Sequence, residues 1–170
     1  MKIHFRKIAN ADEPLQIHET MDVSEVVRGR KDILDISPLS VNLNALPAGT
    51  DQVNVVGTLS GDVDMLCGRC LNEAHSHLKI PFAETFKWLK QPDLPEEDED
   101  DELIYVKDEI VDLVPHLEET FVLHLPDSAL CKADCLGLCQ TCGQNLNEGT
   151  CSCDNTVVDP RLAGLKDFFK

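Results

Sequence analysis

The sequence predicts an α+β fold, an antiparallel β meander packed by one or two helices, followed by a cysteine-rich segment and a terminal helix. Three observations carry this. Period-two apolar alternation recurs through residues 41–82. A helical stripe of Leu113, Leu117 and Phe121 follows at i, i+4 and i+8. Six of the eight cysteines then crowd into residues 131–153. The chain has 170 residues, 42% of them apolar and only 5% aromatic, so it can bury one mostly aliphatic core.

The elements follow in order. Residues 1–8 read as a short strand with Ile3 and Phe5 on one face, and Leu15 and Ile17 begin a second alternation after Pro14. Val23, Val26 and Val27 give weak helical spacing in a mixed stretch. Val41, Leu43 and Ala45 alternate with Asn42 and Asn44, and Pro47-Ala48-Gly49 reads as a turn. Val53, Val55, Gly57 and Leu59 continue the alternation, and Ser60-Gly61-Asp62 reads as a second tight turn. Val63 and Met65 lead into Cys67-Gly68-Arg69-Cys70, placed at the tip of a hairpin whose return strand carries Leu78, Ile80 and Phe82.

This β-rich body is expected to span residues 1–92. Residues 93–109 read as an acidic loop, because Glu96–Glu102 is seven consecutive carboxylates with no apolar partner. Residues 110–170 complete the chain as part of the same cooperative unit. A helix is expected over 110–125, with Asp112 as its cap and Pro115 in its first turn, where a missing N–H costs little. Asp159-Pro160 opens a last helix with Leu162, Leu165 and Phe169 on one face.

Charge narrows the function. The formal net is −16, and it is uneven. Residues 1–90 hold 10 basic and 12 acidic side chains, whereas residues 91–170 hold 5 and 19. The second half is therefore no simple phosphate-binding surface. Arg28, Arg30 and Lys31 could form a small basic patch in the first half, but a solvated charged loop is the preferred reading of those three. No apolar run approaches the ~20 residues of a membrane span. The first residues lack the apolar block of a secretory signal, which places the expected location in the cytoplasm.

Eight cysteines in a reducing compartment point to metal rather than disulfides. After the first C-x2-C, the later group reads C-x3-C-x3-C-x2-C-x8-C-x-C. Tetrahedral zinc takes four thiolates from short, turn-borne clusters, and eight thiols divide into two such sets. The segment 131–153 has too few apolar residues to hold a shape by burial, whereas a four-thiolate zinc site supplies on the order of ten kcal/mol. One pairing places Cys67, Cys70, Cys131 and Cys135 on one structural zinc ion and Cys139, Cys142, Cys151 and Cys153 on a second, as a zinc ribbon or knuckle. A rival pairing has one ion on Cys67, Cys70, Cys139 and Cys142. Spacing alone does not separate zinc from an iron–sulfur cluster. His75 and His77 share a strand face, where exposed polar residues are the commoner reading. No phosphate-cradling glycine loop and no HExxH motif is present, and enzyme activity is not expected.

Cys67-Gly68-Arg69-Cys70-Leu71, followed by Pro81-Phe82 with Glu84 and Phe86, resembles the core signature of the YceD family. These are bacterial and plastid proteins described as large ribosomal RNA subunit accumulation proteins. Cys135 through Asn147, then Cys151-Ser152-Cys153 and Asp159-Pro160-Arg161-Leu162, extend the resemblance over nearly the whole chain. Some relatives lack most of the second cysteine cluster. The resemblance implies a non-enzymatic role in accumulation of large-subunit ribosomal RNA. With a net of −16, the expected partner is a basic ribosomal or assembly protein, engaged through the acidic half. Two alternatives stand beside it: direct ribosomal RNA contact through the less acidic half, and a redox-responsive zinc switch.

Overall fold

The computed structural model describes residues 1–9, 11, 13–49, 51–89 and 103–154. The expected terminal helix at 159–170 and the carboxylate run Glu96–Glu102 lie outside the described residues.

The centre of the molecule is a long twisted sheet. Strands β1 (Lys2–His4), β2 (Leu15–Met21), β3 (Ile33–Ile36), β4 (Leu39–Gly49), β5 (Gln52–Leu66), β6 (Glu73–Trp88), β7 (Leu103–Val106) and β8 (Ile110–Asp112) alternate with helices α1 (Phe5–Ala9), α2 (Ser24–Val27) and α3 (Val114–His124). The main sheet runs β2-β4-β5-β6-β7, and β3 pairs with the end of β5 beyond β4. All pairs in it are antiparallel except β6 with β7. A separate ribbon joins β1 to β8.

The alternating runs form the strands expected of them. Val41, Leu43 and Ala45 of β4, Val53, Val55 and Leu59 of β5, and Leu78, Ile80 and Phe82 of β6 all point into one core. Helix α3 covers that face, with Leu113, Leu117 and Phe121 fully buried and the His116 ring edge-on to Phe86 at 5.0 Å. Removing each such side chain from water contributes about 1.5–3 kcal/mol.

Five expectations need correction. Pro47-Ala48-Gly49 is not the turn but the end of β4, with Pro47 opposite Val53 and Gly49 opposite Gln52, so the chain reverses only beyond Gly49. The turn at Ser60-Gly61-Asp62 is absent: β5 runs straight through it. Glycine is there for close approach, since a Cβ on Gly61 would lie 2.7 Å from Leu39 Cδ2. At Gly57 a Cβ would collide with the Asn42 carbonyl and lie 2.8 Å from Leu43 Cα. The strand over 1–8 stops at His4, and one turn of helix then brings Phe5 and Ile8 to the same buried side. The acidic loop is shorter than 93–109, because Leu103-Ile104-Tyr105-Val106 is a β-rich run that pairs with β6. The helix over 110–125 begins only at Val114, since Ile110–Asp112 pairs with β1. Asp112 still serves the helix start: its carboxylate accepts the Val114 N–H at 3.1 Å, which with the amino group of Met1 holds its pKa below the usual carboxylate value.

Candidate metal centre

The β5–β6 hairpin ends in Cys67–Asn72, and backbone hydrogen bonds shape this tip. Cys67 N–H donates to the Asn72 carbonyl at 2.7 Å, and Leu71 N–H donates to the Cys67 carbonyl at 3.0 Å. Leu71 takes a left-handed φ of 60°. The Gly68 N–H reaches the Ala129 carbonyl at 2.9 Å, which brings the chain after α3 alongside the hairpin tip. Arg30 reinforces that approach. It forks onto Asp32 at 2.6 and 2.8 Å and also reaches the Pro126 carbonyl at 3.0 Å.

A second C-x2-C turn follows in sequence. Cys139 N–H donates to the Gln144 carbonyl and Gly143 N–H to the Cys139 carbonyl, both at 2.8 Å. Gly143 has φ 75°. Leu138 and Asn145 form a short antiparallel bridge behind it, and Leu146 N–H donates to the Gly137 carbonyl at 2.9 Å. The two C-x2-C turns are therefore built alike, one on the main sheet and one on a miniature hairpin.

The eight thiols gather into two groups. Cys67, Cys70, Cys131 and Cys135 form the first, and Cys139, Cys142, Cys151 and Cys153 the second, each with its sulfurs within 4.8 Å of one another. The set Cys67, Cys70, Cys139 and Cys142 is split between them. In the first group Cys67 and Cys135 Sγ are 3.8 Å apart, and Cys70 and Cys131 Sγ are 3.5 Å apart. A tetrahedral ion with ~2.3 Å metal–sulfur bonds requires sulfurs ~3.8 Å apart, so the donor set fits one cation. Cys67, Cys70, Cys135 and Cys139 are buried, whereas Cys131 and Cys142 are exposed.

Electrostatics favour the same occupant. The Cys67 thiol is lowered to about 6 by the backbone N–H groups of Cys131, Cys70 and Arg69. Cys131 is pushed up to about 12, first by the Cys70 thiol beside it and then by burial. Cys153 is pushed up to about 12 by Cys142, burial and Cys139. Four thiolates this close repel one another, and a divalent cation is what lets all four ionise together.

Two side chains bind the groups into one body, and neither stands out in the sequence. Arg69 Nη1 donates to the Cys135 carbonyl at 2.8 Å, while its own carbonyl accepts the Leu138 N–H at 3.0 Å. Asn147 Nδ2 donates to Cys135 Sγ at 3.4 Å. Their roles depend on what lies opposite in space, which no spacing rule encodes. His75 and His77 face Asp64 and Asp62 across the β5–β6 ladder, at 2.6 and 2.7 Å, as exposed cross-strand pairs. The candidate basic residues are partly internally matched, with Arg28 on Glu25 at 2.9 Å and Arg30 on Asp32.

The family model described as large ribosomal RNA subunit accumulation protein YceD matches residues 55–169, which include all eight cysteines. The chain is 27% identical to the uncharacterized protein YlbN of Bacillus subtilis, over 93% of this chain and 90% of that one. It is 33% identical to an uncharacterized protein of Mycobacterium tuberculosis over 79% of this chain, and spans 60% of that relative's length. Large ribosomal RNA subunit accumulation protein YCED homolog 1 of Zea mays, a chloroplastic protein, is 37% identical over 43% of this chain and 25% of its own. No solved structure matches the chain. With its family model covering the sheet's long hairpin and both cysteine groups, this chain belongs to the YceD family, whose name ties it to the accumulation of large ribosomal subunit RNA.

Proposed function

We propose that this protein is a non-enzymatic cytoplasmic factor supporting large-subunit ribosomal RNA accumulation, that each cysteine group holds one structural zinc ion, and that it acts through a basic ribosomal or assembly protein. The observation that carries the reading is the pair of four-thiol groups in a chain of the YceD family. Four thiolates leave zinc no open position for a substrate, which favours a structural over a catalytic ion. Sulfurs within 4.8 Å of one another suit a single ion rather than a four-iron cluster, in which each sulfur takes a separate iron. No helix among the described residues is long and apolar enough to cross a membrane.

Charge supports the choice of partner. Two zinc ions with eight thiolates take the formal net from −16 to about −20. Such a surface repels phosphates and steers a cationic protein inward. Direct RNA contact through Arg28, Arg30 and Lys31 is the weaker reading, because Glu25 and Asp32 already neutralise the two arginines. Competition binding at moderate salt tests the preference: a basic large-subunit protein should displace ribosomal RNA. Submicromolar RNA binding that resists displacement and is lost on mutating those three residues would reverse it.

A further inference from the structure

Asn147 lies in the turn that follows the second C-x2-C, yet its side chain serves the first thiol group. The Leu136 N–H donates to Asn147 Oδ1 at 2.9 Å, which fixes the amide oxygen on that side. Nδ2 is thereby turned toward Cys135 Sγ at 3.4 Å, with its other hydrogen on Asn145 Oδ1 at 2.8 Å. Asn145 is itself anchored, receiving the Asn147 N–H at 3.1 Å and donating to Glu148 at 2.7 Å. The amide is thus held on two sides and aimed at a sulfur of the other group.

We propose that Asn147 is a positioning residue for the first metal site, and that through it the two sites are coupled, so that filling the second tightens the first. The inference rests on the metal reading above. An N–H donor on a thiolate stabilises the ligating, anionic form. Asn147 is in place only when residues 137–147 are folded, and that short hairpin has little apolar core of its own to hold it. An ion on Cys139, Cys142, Cys151 and Cys153 would order it. Linkage makes the effect reciprocal: an ion in the first site must tighten the second by the same factor. Arg69 adds a backbone route between the same two parts, through the Cys135 carbonyl and the Leu138 N–H.

The test is titration of the reduced full chain with 113Cd2+, which reports each ion as its own resonance, with chelator competition giving each affinity. Asn147→Asp is the informative variant. It keeps the acceptor for Leu136 but removes the N–H donors to Cys135 and Asn145 and sets an anion facing Cys135, so the uncharged Asn147→Ala accompanies it. A first-site deficit in both variants with the second site still filled reports the lost donor, whereas a deficit in the Asp variant alone reports only the added charge and overturns the positioning role. We expect the first-site affinity of Asn147→Asp to fall by roughly 10–100-fold while the second site still fills. Cys142→Ser combined with Cys153→Ser, which disables the second site, should weaken the first in the same direction. A wild-type chain that binds two ions, with an Asn147→Asp first site as tight as its own, overturns the coupling alone. A wild-type chain that takes up no Cd2+ overturns the metal reading and the coupling with it.

Discussion

Leu71 and Gly143 hold the same place in the two C-x2-C turns. Each follows the second cysteine of a C-x2-C, each has a left-handed φ, 60° and 75°, and each returns its N–H to the carbonyl of the first cysteine. Only one of them is glycine. A β-carbon on Gly143 would meet nothing within 4 Å, so Gly143→Ala isolates the backbone cost, expected at about 1–2 kcal/mol. Leu71→Gly should run the other way, gaining up to about 1 kcal/mol, because an exposed leucine loses little packing there. Denaturant unfolding of the metal-loaded variants measures both; equal destabilisation by the two substitutions would contradict the shared geometry.

Metal content should be close to two zinc ions per reductively purified chain, by elemental analysis. Cys142→Ser should keep one, because Cys131 and Cys135 belong with Cys67 and Cys70. Hydrogen exchange should then show lost protection confined to about residues 137–153, with β5 and β6 unaffected. Global loss of protection would mean that the second group and the sheet unfold as one unit.

Phe121 is fully buried under the sheet, while Leu123 is 76% exposed on the other side of α3. Phe121→Ala should cost about 3–5 kcal/mol. Leu123→Ala should stay within about 0.5 kcal/mol. The contrast is read from the two denaturation midpoints, and a large effect at Leu123 would reveal a contact the fold does not provide.

The Asp64 carboxylate, 2.6 Å away, raises the His75 pKa above its ordinary 6.5. A raised folded-state pKa means the pair contributes stability that is fully present below 6.5 and fades as pH rises through the folded value. NMR titration of the His75 ring should therefore give a midpoint above 6.5, and Asp64→Asn should lower it. An unchanged midpoint in Asp64→Asn would remove Asp64 as the cause.

Much of this was legible beforehand, for reasons that differ by residue. Leu78, Ile80 and Phe82 announce β6 because a half-buried strand must alternate. The eight cysteines draw the eye by number and spacing, and the structure gathers them four and four. Gly61 misleads because glycine serves turns and tight strand approaches alike, and only Leu39 across the sheet distinguishes them. Leu103–Val106 is masked by the carboxylates before it, and its parallel pairing with β6 is a long-range contact. Asn147 could not be found at all, since an asparagine in a turn-rich segment has an ordinary local explanation.

The halves of the first thiol group are far apart along the chain: Cys70 and Cys131 are separated by 61 positions. During synthesis at ~5–20 residues per second, the tip of the β5–β6 hairpin emerges ~3–12 s before its counterpart. Over that interval, on the metal reading proposed above, Cys67 and Cys70 would be an incomplete chelate on a nascent chain, open to oxidation or to capture of the wrong metal. The second group, assembled within residues 139–153, closes over a shorter wait of ~0.7–3 s at the same rate. Growth under oxidative stress should therefore damage newly made chains at Cys67 and Cys70 first, and leave finished molecules intact.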